Sequence, residues 1–499
     1  AGAGGAGLDV DEVFSTFLID GNGSTQAINN GLDLSGEGGL VWIKNRDDAG
    51  SHHMLYDTVQ PLISSKIARL RSSSANDADS GNNELSSFNS NGFTLGGSYN
   101  TNSSSYDYVS WSFRKAPKFM DIVTYTGTGS TQNISHNLGV VPAMMMVKSL
   151  GSNSRWNVYH KDASPNGTPQ NGRMALNTVD PWGEYPTVGV FSGLWNNTAP
   201  TDSVFTVGSY NDTNASGYSF VAYLFAHNNN DGEFGPSADQ DIIKCGSYTG
   251  NGSTTGPVID LGFEPQFLMI KNASTSSDWT ILDTMRGLDY SDNDPFLRPN
   301  LSNAEAAAFD CANPLATGFQ LKATSVMFNT NNDTFIYMAI RRGPLAAPDD
   351  ATKVFHPVKG GPDHNSVPFP TDFVITTTQG SGSDNWTLTR LLGETYMKTN
   401  GSNAEGSHNF QDIFADMTGM DWDTASWWSS SATNTVGWHW KRAPSYFDVC
   451  CYTGNQTSGR TVSHNLGAVP EMMWVKRRNA AADWKVYHSA LGNTKHLNL

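Results

Sequence analysis

The chain has 499 residues, of which 38% are hydrophobic, 11% aromatic and only 16% charged. Its net charge of −16 gives a surface that repels phosphate backbones and anionic lipid, which argues against binding to nucleic acid or to a membrane surface. No apolar run is long enough to span a bilayer, and the length favours several domains over one core. Gly, Ser, Thr and Asn replace the charged residues, which favours turns and short strands and predicts an all-β fold.

The chain opens on the glycine-rich tract Ala1–Gly7. Such a tract behaves as a flexible coil. Residues 1–12 are therefore predicted to form a flexible N-terminal segment.

A first repeated signature combines a turn, a Gly, a Pro and an apolar strand that ends in Lys. Gly and Pro are three residues apart and Pro and Lys are six apart in each of three copies: Tyr125–Ser130, Gly139, Pro142 and Lys148; Tyr248–Ser253, Gly262, Pro265 and Lys271; Tyr452–Gly454, Gly467, Pro470 and Lys476. A looser copy ends at Lys44 and a degenerate one at Thr376. Internal self-similarity of this kind indicates a repeat architecture.

A second signature closes each repeat: an apolar residue stands 18 positions before an aromatic residue of the last strand, and that strand alternates. The pairs are Phe93 and Trp111, Phe205 and Tyr223, Phe319 and Tyr337, and Met420 and Trp438. Alternation of this kind is typical of a half-buried strand. In three of the repeats a basic pair and a proline follow, as in Arg114–Pro117.

Repeats of roughly 100 residues with frequent turn signals predict a tandem array of β-sandwich modules of the jelly-roll or lectin-like kind. The predicted bounds are 13–117 for module 1, 118–228 for module 2, 240–344 for module 3, 353–444 for the degenerate module 4 and 445–499 for an incomplete module 5. Short, proline-stiffened junctions predict a semi-rigid rod or a chain of beads.

Module 5 contains no closing strand, and a sandwich without an edge strand exposes unpaired backbone. We therefore expect either further sequence or a partner chain to supply that strand, and favour a longer native protein.

Two pairs of histidines recur with the repeat, which is how scaffolding behaves. His136 and His464 lie in equivalent His-Asn-Leu-Gly turns, where a turn hydrogen bond is favoured over catalysis. The adjacent pair His52 and His53 would point to opposite faces of a strand, which disfavours a metal site.

The second pair, His160 and His488, occupies a position that is Asp57 or Asp283 in other modules. An exchange of His for Asp suits a surface hydrogen bond and would ruin a general base. No catalytic residue is predicted from these positions.

Other candidates for chemistry are weak. Asp421 and Asp423 have a spacing compatible with a glycosidase pair, but they stand beside the closing strand in a place that is not acidic in the sister modules. The loop Asp292–Asp294 could hold Ca²⁺, although loop solvation is favoured. No cofactor or metal is predicted, and Cys245, Cys311, Cys450 and Cys451 are interpreted as small buried apolar residues or as residues without a role.

Four tryptophans lie outside the framework positions of the repeat and in loops rich in polar residues. Exposed aromatics in such loops can stack on sugar rings, although most large aromatics belong to a core. The candidate ligand-binding residues are Trp182, Trp195, Trp427 and Trp428.

These motifs together resemble the repeat-containing structural proteins of marine phages, particularly cyanophages. The resemblance lies in the Tyr-Thr-Gly-x-Gly-Ser turn, His-Asn-Leu-Gly-x-x-Pro, the Val-Lys strand end, the strands Trp156–His160 and Trp484–His488, and the Phe-Arg-Lys-Ala-Pro ending. It covers most of the chain, but residues 353–444 depart from it by lacking the tyrosine turn. It implies a component of the virion and transfers no catalytic residue.

The expected function is therefore that of a non-enzymatic virion protein, a tail or head fibre that contacts the host surface through many weak contacts. Expected partners are other virion proteins, host surface glycans and further copies of the chain, with neither nucleic acid nor membrane insertion. The alternatives are a capsid decoration protein, a secreted carbohydrate-binding array and, least favoured, a polysaccharide depolymerase.

Overall fold

The computed structural model describes residues 7–184, 193–360, 364, 366–380, 384–407, 413–420 and 434–499. The predicted all-β fold is confirmed, since strands dominate these residues and their sheets are antiparallel. They contain one short α-helix, Asn211–Asn214, and 3₁₀ turns at Val10–Glu12, Pro169–Asn171, Ala351–Lys353, Arg390–Leu392 and Ser489–Leu491. Within the described ranges no helix is long and apolar enough to cross a membrane.

The strands follow the repeats. Module 1 contains β1 (Phe14–Asp20), β2 (Gln26–Asn29), β3 (Gly39–Asn45), β4 (Met54–Asp57), β5 (Ala68–Arg71), β6 (Asp79–Ser80), β7 (Leu85–Asn89), β8 (Gly92–Leu95) and β9 (Asp107–Arg114). Module 2 contains β10 (Met120–Thr126), β11 (Gln132–Ser135), β12 (Met144–Ser149), β13 (Asn157–His160), β14 (Gly172–Ala175), β15 (Gly183–Glu184), β16 (Val204–Val207) and β17 (Ser219–Phe225). Each module forms two sheets, ordered β1-β9-β3-β4-β5-β6 with β2-β8-β7, and β10-β17-β12-β13-β14-β15 with β11-β16.

The remaining modules follow the same plan with fewer strands. Module 3 contains β18 (Ile243–Thr249), β19 (Val258–Asp260), β20 (Pro265–Asn272), β21 (Thr280–Asp283), β22 (Ala312–Leu315), β23 (Gly318–Leu321) and β24 (Thr334–Arg341). Module 4 contains β25 (Phe355–Lys359), β26 (Phe373–Thr378), β27 (Trp386–Thr389), β28 (Thr395–Lys398), β29 (Gly406–Ser407) and β30 (Thr435–Trp440), and module 5 contains β31 (Met472–Val475), β32 (Lys485–His488) and β33 (Leu497–Asn498). Their sheets are ordered β18-β24-β20-β21 with β19-β23-β22, β25-β30-β26-β27-β28-β29, and β31-β32-β33.

Modules 1 to 4 share one strand arrangement. The closing strand (β9, β17, β24 or β30) lies between the opening strand (β1, β10, β18 or β25) and the anchor strand (β3, β12, β20 or β26). In module 1, for example, Trp111 of the closing strand pairs with Thr16 on one side and Trp42 on the other. The closing signature in the sequence therefore marks the centre of each main sheet.

In modules 1 and 3 each face of the anchor strand packs into a different core. In module 1 one face, including Val41 and Ile43, packs against Phe93 of the second sheet to form the core of the sandwich. The opposite face, including Leu40 and Trp42, joins a separate cluster. A sandwich covers only one face of its main sheet, so the other face must be covered from outside the module.

The second cluster is a core shared by modules 1, 2 and 3. Phe14 and Phe113 of module 1 lie 5.5 Å in ring-centroid distance from Phe267 of module 3 and from Phe225 of module 2, respectively. All four rings are at most 1% exposed. The three modules thus pack around one centre, in an arrangement called the ring below.

This packing corrects two expectations drawn from the sequence. The first three modules do not form a rod of separate beads, because they bury their main sheets against one another. Residues 9–12 are not a free segment either, since Val10 is fully buried. The Asp9 carboxylate accepts hydrogen bonds from the backbone N–H groups of Leu345 and Ala346 at 2.8 and 3.1 Å, beside the end of module 3.

Module 4 joins the ring through a different contact. The Arg442 guanidinium donates two hydrogen bonds, of 2.8 and 2.6 Å, to the Glu264 carboxylate of module 3, and both side chains are about 95% buried. Arg342 of module 3 pairs with Asp372 of module 4 at 2.7 Å. The basic pairs that end the closing strands therefore fasten module 4 to module 3.

Candidate functional site

The position shared by Asp57, His160 and Asp283 forms the same contact three times around the ring. Each side chain ends the strand after the anchor strand and meets the closing strand of another module. The contacts are Tyr223 Oη donating to Asp57 Oδ2 at 2.6 Å, His160 Nε2 to the Tyr337 carbonyl at 3.1 Å, and Trp111 Nε1 donating to Asp283 Oδ2 at 3.0 Å. They join module 1 to 2, 2 to 3 and 3 to 1, so the three modules close with pseudo-threefold order.

These side chains are buried, which corrects the prediction of a surface hydrogen bond. Asp57, His160 and Asp283 are 2%, 1% and 0% exposed. Burial lowers the pKa of His160 to about 4 and raises that of Tyr223 well above its usual value. His160 is consequently neutral at physiological pH, with Nδ1 accepting the Asp162 N–H at 3.2 Å and Nε2 left to donate. The position fastens modules together and offers no open base.

A second contact is also repeated, and it starts in modules 2 and 3 from the tryptophan that stands eight residues after the lysine of the first repeated signature. Trp156 Nε1 donates to the Arg71 carbonyl at 2.9 Å, from module 2 to module 1. Trp279 Nε1 donates to the Ala175 carbonyl at 3.0 Å, from module 3 to module 2. Both acceptors are the last residue of the equivalent strand. The two interfaces between neighbouring modules, called seams below, therefore share one geometry.

The anchor lysines extend this seam. Lys148 Nζ donates to the Ala75 carbonyl at 3.1 Å, and Lys271 Nζ to the Val179 carbonyl at 2.9 Å, each acceptor being four residues beyond the tryptophan's partner. Both lysines are fully buried, and desolvation lowers the pKa of each to about 8. The repeated Lys therefore serves as a buried donor to backbone carbonyls and not as a surface charge.

The third seam, between modules 1 and 3, uses other groups. Arg46 pairs with Glu305 at 2.7 Å, and the backbone N–H of Glu305 donates to the Arg46 carbonyl at 2.7 Å. Arg286, whose side chain is fully buried, bridges Glu305 and Asp283 at 2.8 and 2.6 Å. Nothing in the repeat marks Arg46, Arg286 or Glu305, because these groups occur in one seam only, and sequence analysis missed them.

Two other histidines of the repeat act as turn residues. His136 Nδ1 accepts the Leu138 N–H at 3.3 Å and His464 Nδ1 accepts the Leu466 N–H at 3.2 Å, which confirms the predicted turn hydrogen bond. His53 is buried and accepts the Trp42 Nε1–H at 3.0 Å. The described residues hold no group of three or more His, Cys, Asp or Glu side chains placed to bind a metal.

The four candidate tryptophans do not come together as one surface. Trp195 is 2% exposed and packs against Tyr159, so it lacks the open ring face that sugar stacking requires, because its loop folds into the core of module 2. Trp182 is half-buried, and its backbone N–H donates to the Ala273 carbonyl of module 3 at 3.0 Å. Trp427 and Trp428 lie outside the described residues, as do Asp421 and Asp423.

The cysteines divide into two kinds. Cys245 and Cys311 are fully buried, as expected. Cys450 is exposed and Cys451 is half-buried, so burial describes only two of the four. The stretch that carries the last two has no regular secondary structure and so does not enclose them.

Two buried carboxylates in module 3 are the most perturbed acidic groups of the described chain. Asp289 is 4% exposed and burial raises its pKa to about 7, and Asp294 is fully buried with a pKa raised well above its usual value. Asp294 Oδ2 accepts the backbone N–H groups of Cys311 and Ala312 at 2.6 and 3.0 Å. The Asp294 carboxylate is thus engaged by backbone N–H groups inside the module, which argues against Ca²⁺ binding by the loop of residues 292–294.

A cleft with a volume of about 640 Å³ lies between modules 1, 3 and 4. Its apolar lining includes Phe14, Phe17 and Leu391. Its size would suit a small molecule. However, the charged groups around it pair with one another, as Arg442 does with Glu264, so the cleft presents no distinctive chemistry.

The fold and its seams define an all-β structural array whose repeats are fastened to one another by buried polar side chains. The model of a family described as a domain of unknown function (DUF7483) matches residues 9–344 and 359–499, and the chain belongs to that family. The break between the matched segments covers residues 345–358, which follow the ring and include the start of module 4. No curated protein and no solved structure matches the chain significantly.

Proposed function

We propose that the protein is a non-enzymatic structural component of a phage virion, a tail or head fibre or similar appendage that contacts the host surface. The observation that supports this most directly is the threefold use of one contact, at Asp57, His160 and Asp283, to close the ring. These recurring titratable side chains, which would otherwise be candidates for catalysis, hold the modules together.

The ring suits a part that must remain folded outside a cell. Its modules share a continuous apolar core, and the seams add charged and neutral hydrogen bonds that are shielded from solvent and therefore from salt. A single module could not separate without exposing one face of its main sheet. The resemblance of the repeats to virion proteins of marine phages is the reason for assigning this ring to a phage particle.

Host contact would fall to surfaces outside the seams. Loops rich in Asn, Gly and Ser face outwards, and the half-buried Trp182 is the described candidate aromatic that retains some exposure. Repeated weak contacts of such loops with glycans would add through multivalency. Further copies of the chain and other virion proteins are the partners that this role requires.

The test is to purify the source particles and ask where the protein is. The proposal expects the chain in banded particles at a fixed ratio to the major structural proteins, with density for the ring at a tail or capsid appendage in a cryo-EM reconstruction. Recovery only as a free protein in the medium would contradict it and favour the secreted carbohydrate-binding array. Recovery on the capsid faces would instead favour the decoration protein.

A further inference from the structure

The anchor strand of module 5 differs from its counterparts in exposure. The equivalent residues of the ring, Leu40–Ile43, Met144–Val147 and Phe267–Ile270, are at most 2% exposed. Met472, Met473, Trp474 and Val475 are 52%, 42%, 40% and 42% exposed. This strand pairs with β32 on one side, and within the described residues no strand pairs with its other edge. A bare apolar strand with an unpaired edge is a template for another strand.

The seam between modules 4 and 5 repeats the seams of the ring. Trp484 Nε1 donates to the Lys398 carbonyl at 2.8 Å, and Lys476 Nζ donates to the Ser402 carbonyl at 3.0 Å. Lys398 is the last residue of its strand and Ser402 lies four residues beyond, as Arg71 and Ala75 do in module 1. Modules 4 and 5 are therefore related as modules 1 and 2 are, and as modules 2 and 3 are.

Module 4 also presents the face that the ring would bury. Phe355, Phe373 and Trp440 pack together with ring centroids 5.2 and 5.3 Å apart. By register they correspond to Phe14, Leu40 and Phe113, which are at most 1% exposed in the shared core. In module 4 all three aromatics are only half-buried. Two adjacent modules thus carry the inward faces of a ring without its third member.

We propose that modules 4 and 5 are two places of a second ring and that the free edge of β31 receives a closing strand of this same repeat, carried by another polypeptide segment of the family. The register of module 1 predicts the alignment. Leu40 pairs with Phe113 and Trp42 with Trp111, so Met472 would face the phenylalanine and Trp474 the tryptophan of the incoming strand. The family match is consistent with this assignment, because its first segment ends at residue 344, where the ring ends, and a second segment covers residues 359–499.

The first experiment adds a fluorescein-labelled peptide with the sequence of Asp107–Pro117 to the intact 499-residue chain. We expect saturable binding by anisotropy, and slowing of amide exchange in Met472–Val475 by at least about tenfold. The control peptide carries Trp111→Ser and Phe113→Ser, which keeps the backbone and removes the inward rings. In the protein, Trp474→Asp should abolish binding, whereas Val469→Asp, at a position 88% exposed beside the strand, should not.

A second measurement does not depend on the affinity of a short peptide. The segment 177–228 of module 2, which includes β17, is appended after Leu499, since Leu499 matches Leu176 by register. Protection of Met472–Val475 in this extended chain, lost when the appended Tyr223 and Phe225 equivalents are changed to Ser, is the expected result. Absence of protection in both experiments would overturn the proposal. So would dimerisation of the unextended chain that protects the same strand, because a second copy would then be its occupant.

Discussion

The indole Nε1 of Trp111, in the middle of the first closing strand, donates a 3.0 Å hydrogen bond to Asp283 Oδ2, which is 172 residues further along the chain. The same carboxylate oxygen accepts from Arg286 Nε at 2.6 Å, and the Arg286 guanidinium lies 5.3 Å from the Trp111 ring centroid. This group closes the ring between its first and last modules. Both charged groups of this contact, Asp283 and Arg286, belong to module 3 and have fully buried side chains, whereas module 1 contributes the neutral indole.

Removal of the Asp283 carboxylate should open this seam. Asp283→Ala leaves Trp111 without its acceptor and Arg286 with Glu305 as its remaining carboxylate partner. Breaking a buried pair from one side costs about 3–5 kcal/mol in the free energy of unfolding. Guanidinium denaturation followed by tryptophan fluorescence measures the loss. Asp292→Ala, at an exposed position of the same module, is the control and should change stability by less than about 0.5 kcal/mol; equal losses in the two variants would contradict the assigned role.

The buried lysines should give stability a dependence on alkaline pH. Desolvation lowers the pKa of Lys148 to about 8 in the folded protein, against an ordinary value of 10.5. Between these values the unfolded chain binds more protons, so this group makes the folded state more stable as pH rises. Lys148→Met removes that increment, and the difference in free energy of unfolding between wild type and variant should grow from pH 8 to pH 9.

The comparison isolates the lysine from buried tyrosines, whose raised pKa values act in the opposite direction in both proteins. Lys359→Met, at an exposed position, is the matched control and should show a difference that is constant with pH. A constant difference for Lys148→Met as well would mean that Lys148 is not desolvated.

Asp289 should make the protein less stable as pH rises through the neutral range, which is opposite to the effect of Lys148. Burial raises its pKa from 3.8 to about 7, so the folded state favours the neutral acid. Its contribution to the free energy of unfolding is complete below pH 3.8 and is lost as pH rises through about 7. When Asp289 is fully ionised, the loss amounts to about 4 kcal/mol. Asp289→Asn, which cannot ionise, should therefore gain stability relative to wild type between pH 5 and pH 8.

Thermal unfolding at both pH values measures that gain, with Asp292→Asn as the exposed control. Because Asp289 lies against module 4, with its Oδ2 2.4 Å from the place that a Cβ on Gly393 would take, the gain should appear in the docking of module 4 as well. An Asp289→Asn effect of equal size at pH 5 and pH 8 would contradict the pKa assignment.

Glu264 should control whether module 4 stays against the ring. Glu264→Ala removes both hydrogen bonds from Arg442 and the one from Asn465 at 2.9 Å, while Asp448 still pairs with Arg442 at 2.7 Å. We expect faster proteolysis between residues 345 and 353 with the ring itself intact. Glu37→Ala, which removes an exposed ion pair with Arg114, should leave cleavage unchanged. Uniform acceleration across the chain would mean that Glu264 stabilises module 3 alone.

The sequence identified the repeat, the all-β fold and the turn histidines because each is a local pattern. It did not predict the ring, although the composition of the strand Met144–Val147 indicates contacts beyond its own module. That strand is apolar on both faces, and a sandwich can cover only one of them. Short junctions alone are compatible with a rod, but the second apolar face of the anchor strand must be covered by another module.

The exchange of His for Asp at positions 57, 160 and 283 is visible in the sequence, but its burial between modules is not. A His ring can donate a hydrogen bond at a strand end and an Asp carboxylate can accept one, and sequence alone does not say whether that end faces water or another module. Residues that occur in one seam, such as Glu305, leave no repeat pattern at all. The candidate site was therefore predictable in its residue types and not in its location.

The closed ring also limits how such a protein can be inherited. In an open array one repeat can be gained or lost by recombination between similar stretches of gene at the cost of one interface. Here a single deletion would leave Asp57, His160 or Asp283 facing water with no closing strand to meet. The unit that can be copied without exposing a seam is the set of three, so gene length in this family should change in steps of about 335 residues, the span from residue 9 to residue 344.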